Sequence, residues 1–93
     1  MGSKRWAYRV LRCARRWDGK AVDGPTLATF ERRDTALCHA ERFAAEQAAK
    51  GACDLYVEVR KRGGGTRFHM RHTIAILLVD RGHVFVSIAK EEP

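Results

Sequence analysis

Apolar and polar residues alternate from Arg5 to Cys13, with Trp6, Tyr8 and Val10 on one side and Arg5, Ala7, Arg9 and Leu11 on the other. That period of two predicts a half-buried strand. From Ala14 to Pro25 the alternation stops, and Asp18-Gly19 and Asp23-Gly24-Pro25 supply the turn chemistry of a loop or loose hairpin connection. Thr26 to Phe30 then predicts a short second strand.

The period changes after Asp34, which is placed to cap a helix by accepting from its first free amides, while Gly51 is a natural stop. At 100° per residue, Ala36, Leu37, Ala40, Phe43, Ala44, Gln47 and Ala48 share one face, and His39, Arg42, Glu46 and Lys50 fall opposite. The alanines predict close approach to a sheet. The i,i+4 spacing of Arg42, Glu46 and Lys50 marks an ordinary solvated face.

Leu55, Val57 and Val59 alternate with Tyr56, Glu58 and Arg60 in a third strand, which leads through Gly63-Gly64-Gly65 into a fourth beginning near Thr66. A single strand from Thr66 to Val79 would span about 46 Å, so a bend or bulge is expected near Arg71 to Thr73. Asp80-Arg81-Gly82 predicts a three-residue hairpin turn, and His83 to Ala89 the closing strand, with Val84, Val86 and Ile88 on one face. The order β-β-α-β-β-β predicts an α+β fold: a mainly antiparallel sheet of about five strands with one helix packed on one face.

With 93 residues, 45% of them hydrophobic and 31% charged, the chain suits one small domain with a modest core. The ends, 1–4 and 90–93, are expected to be flexible. The longest apolar run, Ile74 to Val79, is far short of the roughly 20 residues of a spanning helix, and the start lacks the apolar stretch of a secretion signal. Met1-Gly2-Ser3 opens like a myristoylation site, but Trp6 stands where that site needs Ser or Thr. No membrane partner is expected. Three widely spaced cysteines, Cys13, Cys38 and Cys53, suit reduced thiols and a cytoplasmic location.

Charge adds the strongest functional clue. The net charge is +7, and 13 of the 18 cations are arginine, whose planar fork matches phosphate or carboxylate. Residues 1–20 hold seven basic groups against one acid, residues 21–59 four against seven, and residues 60–93 seven against three. The cations therefore flank an acidic middle that contains the helix. A solvated basic face is the alternative to a binding surface.

Two segments concentrate the candidate contacts. Arg60-Lys61-Arg62-Gly63-Gly64-Gly65-Thr66-Arg67, followed by His69, Arg71 and His72, predicts a basic hairpin able to lie along a phosphate backbone or enter a major groove. The triple glycine is not a Walker loop, because no Gly-Lys-Ser/Thr follows it. Arg15-Arg16-Trp17-Asp18-Gly19-Lys20 sets an aromatic among charges, where Trp17 stacks on a base, caps the core edge or takes a cation-π contact from Arg15 or Arg16. With Arg9 and Arg12 on the first strand, the candidate contact set is Arg9, Arg12, Arg15, Arg16, Trp17, Arg60, Lys61, Arg62, Arg67 and Arg71. No metal or cofactor is expected: His69 and His72 point to opposite faces of a strand, and Cys38 and His39 diverge by about 100° on a helix.

The tail from Phe68 to Ala89, a basic strand leading through Ile74 to Val79, an Asp-Arg-Gly turn and a last strand, resembles the final hairpin of RelE-type ribonuclease toxins. The resemblance covers under a quarter of the chain, and those toxins place a helical hairpin where this chain has strands. It implies RNA cleavage in which His69, Arg71 and His72 supply proton transfer and charge stabilisation. The residues themselves show no catalytic signature, so the leading expectation is a noncatalytic module that binds nucleic acid. The second is a protein-docking accessory or inhibitor, of the compact mobile-element kind to which anti-CRISPR proteins belong, acting on an acidic protein or nucleoprotein surface. An exposed strand edge would also let two copies pair as a homodimer.

Overall fold

The computed structural model describes residues 6–62 and 72–89. The triple glycine with Arg67, His69 and Arg71, and both ends of the chain, lie outside the described residues. The elements run β1 (Tyr8–Arg15), β2 (Ala21–Val22), β3 (Thr26–Phe30), α1 (Arg33–Ala49), β4 (Leu55–Lys61), β5 (His72–Asp80) and β6 (His83–Ile88). All pairings are antiparallel in one sheet of order β2-β1-β4-β5-β6, with β3 also on β1. This is the expected α+β architecture, with one addition. The loop foreseen from Ala14 to Pro25 contains the two-residue strand β2, which shares the outer edge of β1 with β3.

One face of the sheet is closed by α1. Ala36, Ala40, Ala44 and Ala48 recur every four residues along its buried side and pack on Val10, Val57, Val59, Ala75, Leu77 and Val79. Methyl side chains let the helix lie close, and Leu37 and Phe43 wedge in at its flanks. The cross-strand pairs Val10–Val59, Val57–Leu77, Leu55–Val79 and Val79–Val84 put β1, β4, β5 and β6 in register beneath it.

Local details correct four expectations. The helix N-cap is Arg32, without a side-chain cap bond, and Asp34 sits inside the first turn with Oδ1 accepting from the Thr35 amide at 2.8 Å. At the other end, Gly51 takes φ 80° and Ala52 N–H returns to the Gln47 carbonyl at 3.0 Å, the Schellman closure that glycine makes cheap. His39, expected on the solvated face, is half-buried and packs at a tilt against Phe30 with ring centroids 5.2 Å apart. Arg81 and Gly82 both have positive φ, so the β5–β6 turn has two residues of type I′ rather than three. The bulge on β5 falls at Ile74, one residue beyond the expected place, and turns both Ile74 and Ala75 toward the helix.

Candidate acidic-partner interface

The face away from the helix is closed by different chemistry. Leu11 and Cys13 are buried there, outside the helix-side core, beside Glu58 and Arg60 of β4. The segment 16–25 straps over them. Its Gly24 approaches so closely that a Cβ would stand 2.1 Å from the Arg12 carbonyl oxygen, and Arg12 N–H donates to the Pro25 carbonyl at 3.1 Å. Tyr56 donates its hydroxyl to the Gly19 carbonyl at 3.3 Å, holding the near end of the strap.

Arg60 locks this face. Only 4% exposed, it donates from Nε and Nη2 to Glu58 Oε1 at 2.9 and 2.7 Å, and forks Nη1 and Nη2 onto Asp23 at 3.0 and 2.7 Å. The bonds to Asp23, assisted by Glu58, raise its pKa above the ordinary value against the opposing effect of burial. Its charge is therefore permanent and internally matched. Burial first, then the negative Glu58, pushes the Cys13 thiol up, with a hydrogen bond from the Gly24 amide acting the other way. Cys13 is a structural thiol.

Arg60 was expected at the contact surface, and the structure corrects this: its guanidinium is spent inside the fold. Glu58 and Arg60, two apart on one strand, could have been read as same-face neighbours. Asp23 could not, because it arrives from a turn 37 residues away.

The remaining candidates divide between the two ends of the β1–β4 pair. At the far end of β1, Arg15 lies 3.6 Å from Asp54 and Arg16 lies 3.4 Å from Asp18. Trp17 is 92% exposed on the tight turn between them, so it does not cap the core. Arg12 sits opposite Val57 on the helix side, exposed beyond the helix's reach.

At the near end, Arg9 pairs with Arg60 and Tyr8 with Lys61, while Arg62 N–H donates to the Ala7 carbonyl at 2.7 Å. Arg9 points to the strap side and Lys61 to the helix side. The Arg62 guanidinium lies 4.6 Å above the Trp6 ring and donates to the Trp6 carbonyl at 3.4 Å. Among the described residues, no carboxylate pairs with Arg9, Lys61 or Arg62. Arg67 and Arg71 of the expected set lie outside the described residues, as does His69 of the ribonuclease-like set; His72 is described only through its backbone, paired with Lys61.

The expected ten-residue surface is thus not one patch among the described residues. Part is internal, part is neutralised locally, Arg12 stands apart on the helix side, and a cationic end remains. Trp6, which alternation sets on one side with Tyr8 and Val10, is half-exposed beneath Arg62. No described group of three or more His, Cys, Asp or Glu is arranged to hold a metal, and no described helix is long and apolar enough to cross a membrane. No family model matches the sequence, and no significant match to a curated protein or a solved structure is found.

Proposed function

We propose that the chain is a noncatalytic module that binds nucleic acid through the near end of the β1–β4 pair, which carries Arg9, Lys61 and Arg62, the last lying over Trp6. The observation that carries this reading is the gathering of three cations, none with a carboxylate partner among the described residues, at the strand ends from which the basic segment 63–71 departs and to which it returns. Free cations release counterions when they meet phosphates, and Arg62, 4.6 Å from the Trp6 ring centroid, carries the planar fork that pairs with a phosphate. Arg9 and Lys61 on opposite faces favour an end-on grip of a strand or groove edge over a flat one.

Fluorescence anisotropy with single-stranded and duplex oligonucleotides across a salt series tests it. The logarithm of the affinity should fall linearly with log salt, and replacing all three cations by alanine should reduce the slope by about 2 to 3. Absence of binding at low salt, or binding indifferent to salt, overturns the reading.

A second reading, docking to an acidic protein or nucleoprotein, is favoured by the uncovered half of the strap-side face. Phe85 is 58% exposed there beside Ile76 and Leu78. A protein partner would be retained after nuclease treatment and lost on Phe85→Ser. A nucleic-acid partner would show the reverse pattern.

A further inference from the structure

The two edges of the sheet are built differently. The β1 side is divided between two short strands, interrupted by Asp23-Gly24-Pro25 and bulged at Leu27, devices that prevent another strand from pairing there. The β6 side has none of these. His83–Ile88 contains no charged residue and no proline, and its ladder to β5 runs from Asp80–His83 to Ala75–Ile88 without a bulge.

The type I′ turn fixes which backbone groups face outward. Asp80–His83 is the hydrogen-bonded pair that flanks a two-residue turn, and the Ala89 N–H to Ile74 carbonyl bond, 2.8 Å, continues the same phase at the far end. The amides and carbonyls of Val84, Val86 and Ile88 therefore point away from β5. Their side chains lie on the helix side, where Val86 remains 49% and Ile88 47% exposed because α1 packs chiefly on β5.

We infer that β6 pairs antiparallel with β6 of a second copy of this chain, about a two-fold axis normal to the sheet at Val86. A two-fold of this kind keeps each residue on its own face, so Val86 meets its mate, Val84 meets Ile88, and Phe85 meets Ser87. The outward groups of Val84, Val86 and Ile88 fall opposite one another, each pair exchanging both N–H···O bonds. On the helix side the six apolar side chains close the strip between the two helices. The distance fits: three strand spacings put β5 about 14 Å from its mate, more than the 8–10 Å that packed helices need. The edge strand His83–Ile88 carries no charged side chain, so no like charges meet across it, and the two cationic ends point in opposite directions, each free for its own partner. A single strand pair covers less than the roughly 800 Å² per partner of a standard interface, so the association is weak and must be sought at high protein concentration.

Sedimentation velocity on nuclease-treated protein, without added polyanion and in about 0.5 M salt to suppress phosphate bridging, reads this independently of nucleic-acid binding. From low micromolar to about 0.5 mM protein, monomer should convert to dimer. Val86→Lys, which sets like charges directly opposite at an exposed position, should stay monomeric at every concentration with an unchanged thermal transition. In a Cys38→Ser, Cys53→Ser background, Val86→Cys should oxidise to a covalent dimer at least tenfold faster than Phe85→Cys. A chain monomeric throughout, a dimer indifferent to Val86→Lys, or equal cross-linking at the two positions overturns the inference.

Discussion

The two ends of the β1–β4 strand pair both carry arginine, in opposite electrostatic situations. At one end Arg15 and Arg16 sit 3.6 and 3.4 Å from Asp54 and Asp18; at the other, Arg9, Lys61 and Arg62 have no carboxylate among the described residues. Between them Arg60 is buried against two carboxylates. Cations of one strand pair thus serve as a structural bolt, a locally neutralised surface and an open one. Formal charge counts them alike, whereas a partner would meet the last without displacing a carboxylate.

The comparison breaks most sharply at Arg60. Arg60→Ala leaves Glu58 buried without its cation and should cost about 3–5 kcal/mol in urea denaturation, whereas Arg62→Ala, two residues on, should shift stability by less than about 0.5 kcal/mol. Equal effects of the two would remove the distinction. Gly24→Ala is next. Its Cβ would collide with the Arg12 carbonyl, which belongs to the backbone and cannot swing aside, so the strap must lift, at about 1–3 kcal/mol in the same measurement and with faster thiol labelling of Cys13.

Binding sharpens the contrast between the ends. Joint alanine substitution of Arg9, Lys61 and Arg62 should weaken oligonucleotide binding about tenfold or more at low salt, while the Arg15, Arg16 double variant should change it less than about threefold. The reverse result would move the interface to the Trp17 end.

The smallest effect concerns Cys13. Its folded pKa lies above the ordinary 9.0, so the protonated thiol favours the folded state. That contribution is complete below pH 9.0 and fades as pH rises toward the higher folded value. The stability gap between the wild type and Cys13→Ala should therefore narrow above that pH in alkaline denaturation series. At neutral pH, Cys38 and Cys53 should react rapidly with a thiol reagent and Cys13 slowly, because only Cys13 is buried.

Much of this architecture is legible in residue order because the patterns that encode it are local. The alternation of Leu55, Val57 and Val59, the alanines at 36, 40, 44 and 48, and the Arg81-Gly82 turn each act within a few residues. The candidate site was less legible. Arg60 reads as one more member of a basic run until Asp23 is brought to it from across the fold, and Arg15 reads as available until Asp54 approaches.

By itself the sequence determined an antiparallel α+β domain with one alanine-faced helix and an arginine excess on either side of an acidic middle, since periodicity, turn chemistry and composition are properties of neighbouring residues. Only the tertiary structure decided which charges are spent inside, which are neutralised and which stand free, because ion pairing in a fold depends on distances between residues far apart in the chain. The excess of charge was written in the chain; its availability was set by packing.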